Sequence, residues 1–469
     1  MPTTEEELTP LDATFLELEQ VADGALMHIG AALAFDAPDE GDIPTREHLV
    51  DLLELRFGLL PGFRRRLSEP RVHGLRRPGW VPDESFDLRA HVRHARLPEP
   101  GTQDQLHDWL SDFWSHRLDR ARPLWEVALV DGLQDGGWVL ATKTHHAMVD
   151  GVGSMDVGHV LLDAEPHPVP SQRGEPSAPE VSDHGPVVRL PGWLSQAVSA
   201  AQAAAETIRH PSRLVQAGQA AVAMSEVVWR DEVRAARHST LNVPIGATRR
   251  FTSVTFDLAE AKRIKQALGG TVNDVVLAVT TGALRRLLES RGEPLDEPLR
   301  AMVPVNLRGS ADHSGAGNIV SSLFVELPIG ESELRHRYDR TRAAATELKS
   351  GRATLGTSAI LLVAGLAPPI LHGSIAPMLY GTRMFNLTVT NVPGPQLPLY
   401  ALGSRLRRVL PLVPLAADHT LGLAIVSYAG GLTFGVNADR ASTPDLKVFE
   451  HALRDEFAGL AEVARTTAG

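Results

Sequence analysis

With 469 residues, 43% hydrophobic and 22% charged, the chain is too long for one small core and too apolar for general disorder, so two domains of about 150 to 230 residues are expected. A formal charge of −11 gives no positive field to draw in a nucleic-acid backbone, which sets DNA and RNA aside as partners. There is no cysteine, so disulfides, thiolate metal sites and cysteine acyl-enzymes are excluded together.

The amino-terminal MPTTEEELTPLDATF has no basic region leading into an apolar run, and a cytoplasmic protein is the expectation. The first domain is read as residues 1–163. In it His28–Phe35, Trp125–Val130 and Trp138–Thr144 have strand patterns, the last entered through the turn-forming Asp135-Gly136-Gly137. Arg46–Arg56 and Gln103–Leu118 have helical patterns, so strands and helices are mixed without a repeating βαβ order. Residues 164–249 are read as a linker with connecting helices. The segment EPHPVPSQRGEPSAPE offers no apolar face, and Ala-rich helical runs follow at Trp193–His210 and Leu214–Arg234.

The second domain is read as residues 250–469. FTSVTFDL alternates like a strand, Leu258–Ala267 reads as a helix ended by Gly269-Gly270, and Thr271 caps a long apolar helix over Val272–Ser290. Further strands are expected at Leu299–Leu307, Ser321–Leu327, Phe385–Thr390, Leu421–Ala429 and Gly431–Val436. The fold class is therefore α/β, with mixed-sheet α+β subdomains. Ala353–Thr382 carries the least charge, but Pro368, Pro369 and Pro377 break it into two short buried or interfacial segments. The basic runs Arg405, Arg407, Arg408 and Arg285, Arg286 could act locally on an anionic ligand whatever the total charge, but such a cluster is more often solvated surface.

The most informative local feature is THHAMVDGVGS, Thr144 to Ser154, which follows directly on a strand. Strand ends reach clefts, and adjacent residues there point in opposite directions, so one of His145 and His146 is expected to face a substrate. An imidazole with an ordinary pKa near 6.5 can take a proton from a hydroxyl near neutral pH. Asp150 could orient a partner or close the loop, and Gly151 permits a tight turn. The bland alternative is a histidine pair at a structural turn. A metal site from His145, His146 and Asp150 is disfavoured because neighbouring histidines rarely converge and no fourth ligand is supplied. No GxSxG, GxGxxG or GxxxxGK[ST] pattern supports serine hydrolysis, nicotinamide or ATP chemistry.

The chain resembles the bacterial wax ester synthase and acyl-CoA:diacylglycerol acyltransferase family, a branch of the chloramphenicol-acetyltransferase-like group. HHAMVDG, His145 to Gly151, matches the HHxxxDG motif of the group. LTPLDATFLELE, RPLWEVALVDGL with Pro123, Leu124 and Trp125, TVNDVVLAVTTGALRRLL with Asn273 and Asp274, GAGNIVSSLFVELP and TNVPGP follow in the family's order over nearly the entire chain. Thr390 stands where serine is common, and no DFGWG element is present, which argues against a condensation domain.

The resemblance implies a two-domain, CoA-dependent acyltransferase fold with a tunnel at the domain interface. It implies acyl-CoA as co-substrate, no metal, and no permanently bound cofactor. His146 would be the base that activates the acceptor hydroxyl, with His145 and Asp150 supporting it and Arg308 a candidate partner of Asp150. Asn273 would polarise the thioester carbonyl or hold its oxyanion, against a bland role in capping or bridging the helix that follows it. Asp274 would pin that helix, Pro123 and Trp125 would shape the packed edge of the tunnel, and Asn391 would hold a lining loop. Diacylglycerol is the leading acceptor, giving triacylglycerol, with long-chain alcohols giving wax esters. The alternatives are another alcohol or amine acceptor, or a lipid-binding protein without activity. Peripheral attachment to the inner face of a membrane or to lipid inclusions is compatible with these substrates, and the oligomeric state is left open.

Overall fold

Alternating side chains on extended segments and capped amphipathic runs build two six-stranded sheets with helices against them. The computed structural model describes residues 6–8, 10–21, 24–38, 42–57, 61–68, 78–148, 161–166, 235–306, 320–350 and 384–468. In chain order these form β1 (Glu6–Glu7), α1 (Pro10–Val21), β2 (His28–Phe35), α2 (Arg46–Phe57), β3 (Arg65–Leu67), β4 (Gly79–Pro82), β5 (Val92–Arg96) and α3 (Gln103–Ser115). Then come β6 (Trp125–Asp131), β7 (Trp138–His145), β8 (Arg249–Asp257), α4 (Leu258–Leu268), α5 (Val272–Ser290), β9 (Leu299–Asn306), β10 (Val320–Leu327) and α6 (Leu334–Ser350). The chain closes with β11 (Leu387–Pro393), β12 (Tyr400–Ala401), β13 (Ser404–Leu412), β14 (Leu421–Tyr428), β15 (Gly431–Asp439) and α7 (Leu446–Ala468).

One sheet has the order β12-β13-β2-β7-β6-β5 and the other β10-β9-β11-β14-β15-β8, with a small β1-β4-β3 sheet beside them. Both large sheets are mixed: β5 runs parallel to β6, and β11 runs parallel to both β9 and β14. Strands β12 and β13 come from late in the sequence yet complete the sheet of the first half, with β13 antiparallel to β2. Both sheets belong to one compact unit, Met1–His167 with Ala235–Gly469.

Local chemistry explains the element boundaries that matter here. Gly269 ends α4 at φ 81°, a conformation that favours glycine. Thr271 and Asp274 form a capping box at the start of α5, the Thr271 side chain accepting from Asp274 N–H and the Asp274 carboxylate accepting from Thr271 N–H at 2.7 Å. Helix α3 stops at Ser115, short of the expected Leu118, because His116 turns to extended backbone.

Helix α3 also joins the sheets. His107, Ser111 and Ser115 recur every four residues on one ridge, a rise of about 6 Å, which matches about 6.8 Å for two residues of strand. Their partners are alternate residues of the outer strand β8: His107 Nε2 meets Ser253 Oγ at 2.9 Å, Phe251 N–H donates to Ser111 Oγ at 2.8 Å, and Arg249 N–H to Ser115 Oγ at 2.7 Å. An otherwise open sheet edge is thereby satisfied by helix side chains. Apolar residues of α3 pack with Ala32, Ala34, Val139 and Phe251, and α2 covers the opposite face through Leu49, Val50 and Leu53. Helices α4, α5 and α7 cover the second sheet. Among the described residues no single helix is long and apolar enough to cross a membrane. The expected segments within Ala353–Thr382 and the Ala-rich runs at Trp193–His210 and Leu214–Arg234 lie outside the described residues.

Candidate active site

Strand β7 is held between β2 and β6 and delivers the histidine pair at its end. His145 is its last residue, and His146 begins a short 3-10 turn through Met148. The two backbone N–H groups go opposite ways, His145 to Leu124 O at 2.9 Å and His146 to Met27 O at 2.8 Å. The imidazoles separate accordingly. His145 is 1% exposed, whereas His146 is partly exposed and its ring stacks on Phe15 with centroids 3.9 Å apart.

Burial pushes the pKa of His145 down to about 3, with the positive charge of Arg120 and the neighbouring His146 acting in the same direction. His145 is therefore neutral near pH 7. Its Nδ1 accepts from Ala147 N–H at 3.1 Å, so the ring proton sits on Nε2. The Glu19 carboxylate, 1% exposed, lies 3.7 Å from that nitrogen and 3.9 Å from Nε2 of His28, the cross-strand neighbour of His145. Arg120 neutralises Glu19 at 2.8 Å. On the same strand, Lys143 is fully buried, paired with Glu126 at 3.0 Å and bonded to the carbonyls of Phe113 and His116. Burial lowers its pKa, and Glu126 opposes that shift.

The Asn-Asp pair divides its labour. Asp274 is buried in the capping box, which leaves the Asn273 side chain without a capping duty. Asn273 Oδ1 instead accepts from Asn391 Nδ2 at 3.3 Å, joining the start of α5 to strand β11. Two asparagines from separate motifs are thus brought together. Trp125 is 1% exposed, stacks on His91 with centroids 4.4 Å apart and donates through Nε1 to Phe63 O at 2.8 Å. Pro123 is buried beside it and its carbonyl accepts from Trp125 N–H at 2.9 Å, so both shape the core under β6. Asp150, Gly151 and Arg308 lie outside the described residues. A cleft of about 580 Å³ lined by Arg285, Asp296, Glu326 and Arg340 sits among α5, β10 and α6, on other elements than the histidines.

Glu19, Phe15, His28 and Arg120 escape the sequence reading. A signal for the first two exists: Pro10 opens α1, and Leu11, Phe15 and Leu18 repeat at helical spacing, which places Glu19 on the same face as Phe15. No local pattern marks Arg120, whose partner lies 101 residues away.

The family of the chain follows from comparison with known proteins. Residues 8–276 match the model of the wax ester synthase/diacylglycerol acyltransferase catalytic domain, and residues 316–461 match the WS/DGAT C-terminal domain. The chain is similar to the probable diacylglycerol O-acyltransferase tgs1 of Mycobacterium tuberculosis, 32% identical over 466 residues, covering 98% of this chain and 96% of that protein. It is also similar to tgs2 of the same species, 32% identical over 443 residues, covering 94% and 95%. Among solved structures, the wax ester synthase/diacylglycerol acyltransferase of Marinobacter aquaeolei VT8 matches with a TM-score of 0.69 at 28% identity, over 98% of this chain and 99% of that one. A starter condensation domain of rhizomide synthetase shares the fold at 15% identity, with a TM-score of 0.58 over 98% and 95%. On two family models in register and relatives matched end to end, the chain belongs to the wax ester synthase/diacylglycerol acyltransferase family and is an acyltransferase.

Proposed function

We propose that the protein moves a long-chain acyl group from acyl-CoA to the free hydroxyl of diacylglycerol, with His146 as general base. The observation that carries this reading is the contrast between the two imidazoles: His145 is sealed in and neutral, while His146 is partly exposed at the end of β7. An imidazole so placed takes the acceptor proton as the hydroxyl oxygen attacks the thioester carbonyl carbon. The carbonyl oxygen becomes an oxyanion, for which Asn273 offers its uncharged amide N–H group, its Oδ1 being engaged by Asn391. Collapse breaks the C–S bond, and the imidazolium returns its proton to the CoA thiolate. Atoms and charge balance without an acyl-enzyme.

The names of the relatives support diacylglycerol as the acceptor, and the Marinobacter structure supports long-chain alcohols as a second acceptor class. A condensation domain of the same fold was solved with C8-CoA, which is compatible with a CoA thioester as donor here. Both lipids are insoluble in water, which favours work at the surface of a membrane or lipid inclusion on the cytoplasmic side. The test is CoA release by purified protein from a long-chain acyl-CoA, with diacylglycerol and long-chain alcohol in parallel, for the native chain and for His146→Ala. Transfer to diacylglycerol that falls by at least about 10³-fold in the folded variant supports the reading. Transfer retained by the variant removes His146 as base, and transfer to the alcohol alone replaces the acceptor.

A further inference from the structure

Phe15 and Glu19 are four residues apart on α1, so they stand one above the other on a single helix face. That face meets the histidine pair, Phe15 against the ring of His146 and Glu19 against the inner edge of His145. A carboxylate only 1% exposed needs compensation, and Arg120 supplies it at Oε2 over 2.8 Å. The other oxygen, Oε1, accepts from Met27 N–H at 3.4 Å. Met27 in turn receives the backbone N–H of His146 at its carbonyl. Helix α1, the strand entry at Met27 and the histidine turn are thus tied to one carboxyl group.

Nε2 of His145 is shut off from solvent with no hydrogen-bond partner among the described residues. Glu19 Oε1, at 3.7 Å, needs to approach by less than 1 Å to accept its proton, and such bonds commonly tighten only when substrate is bound. The opposite tautomer would set an Nδ1–H against Ala147 N–H, two donors 3.1 Å apart, and open the turn that begins with His146.

We propose that Glu19 is a positioning residue of the acyl-transfer site: its carboxylate keeps the His145 proton on Nε2, and with Phe15 it fixes the turn that presents His146. This rests on His146 being the base. Glu19→Gln reverses the local preference, because Arg120 claims the amide oxygen and the amide N–H group is left facing His145 Nε2, which must then accept. Misplacing a catalytic group by about 1 Å costs on the order of 10²-fold in rate.

The first measurement is ¹⁵N NMR of the full chain with labelled histidine, the His145 signals being those lost in His145→Gln. The expected native state has hydrogen on Nε2 and none on Nδ1, and in Glu19→Gln the proton moves to Nδ1. In the same variant kcat falls roughly 10²-fold while KM for acyl-CoA stays within about twofold, and Glu19→Asp, which keeps the charge, recovers part of the loss. A native His145 protonated on Nδ1 overturns the proposal whether or not any variant folds. So does a Glu19→Gln enzyme with native kcat. Failure of the base reading is distinguishable, since it appears as activity in His146→Ala while the His145 tautomer is unchanged.

Discussion

Replacing Asn273 by alanine separates a catalytic asparagine from a structural one, because its structural contribution can be bounded beforehand. The start of α5 is capped by Thr271 and Asp274, both untouched by the change. Among the described residues the one side-chain bond lost is the 3.3 Å contact with Asn391, between two partly exposed groups that water can serve, worth about 0.5–1 kcal/mol. Alanine returns about half a kcal/mol through helix propensity. The net change in folding stability is therefore within about 0.5 kcal/mol of zero, the size of an ordinary surface substitution. A lost oxyanion donor, by contrast, costs about 3 kcal/mol of transition-state stabilisation, or roughly 10²–10³ in kcat. The assay is initial CoA release at saturating acyl-CoA, paired with a urea titration. A variant with native kcat and a large drop in urea midpoint would refute the oxyanion assignment and leave Asn273 as a bridge to β11.

Three further outcomes follow from the packing. Burial holds His107 at a pKa of about 4, with Glu450 opposing and Lys447 reinforcing the shift. Between that value and 6.5 the unfolded chain binds a proton that the folded chain refuses, so this contribution is complete above pH 6.5 and is lost as pH falls toward 4, by up to about 3 kcal/mol. Urea midpoints at pH 7.5 and 4.5 should fall further apart for the native chain than for His107→Gln, and equal slopes would count against it. Ser111→Ala leaves the buried N–H of Phe251 without its acceptor and is expected to cost about 1–3 kcal/mol, read as a lower urea midpoint; an unchanged midpoint would dismiss the α3 latch. Trp138→Ala removes a fully buried ring stacked on Phe35 at 4.2 Å and bonded to Ser404 Oγ, and should cost about 3–5 kcal/mol by the same titration, a loss below 1 kcal/mol being the contrary result.

The strands β2 and β7 and the helix α5 are legible in the sequence because their signals are local: apolar alternation, an Asp-Gly-Gly turn, and a Gly-Gly-Thr boundary with a capping box. Strand β13 is not, since its arginines read as a solvated cluster. Leu406, Leu410 and Leu412 are buried along the same strand, Arg407 pairs with Asp36 and Asp135, and of the three arginines only Arg405 is exposed. Its partner strand lies some 370 residues earlier, beyond any local pattern. Helix α6 hides behind its charge, although Arg337, Tyr338, Thr341 and Ala345 form a buried stripe at helical spacing. At the site, the histidines and asparagines announce themselves through motifs. The partners of His145 do not, because Glu19 and Arg120 acquire meaning only when α1 and the loop before β6 are folded against β7.

The late strand β13 also sets a schedule. On a ribosome, β7 and its histidines emerge about 260 residues before β13 does, an interval of roughly 13–50 s at 5–20 residues per second. Throughout it the outer edge of β2, HIGAALAF, is an apolar strand without its neighbour, able to pair with a second nascent chain. Yield of active protein should therefore depend on translation speed through residues 146–404 and on whatever shields that edge, and a gene cut between the two family segments would release a first half still missing one side of its sheet.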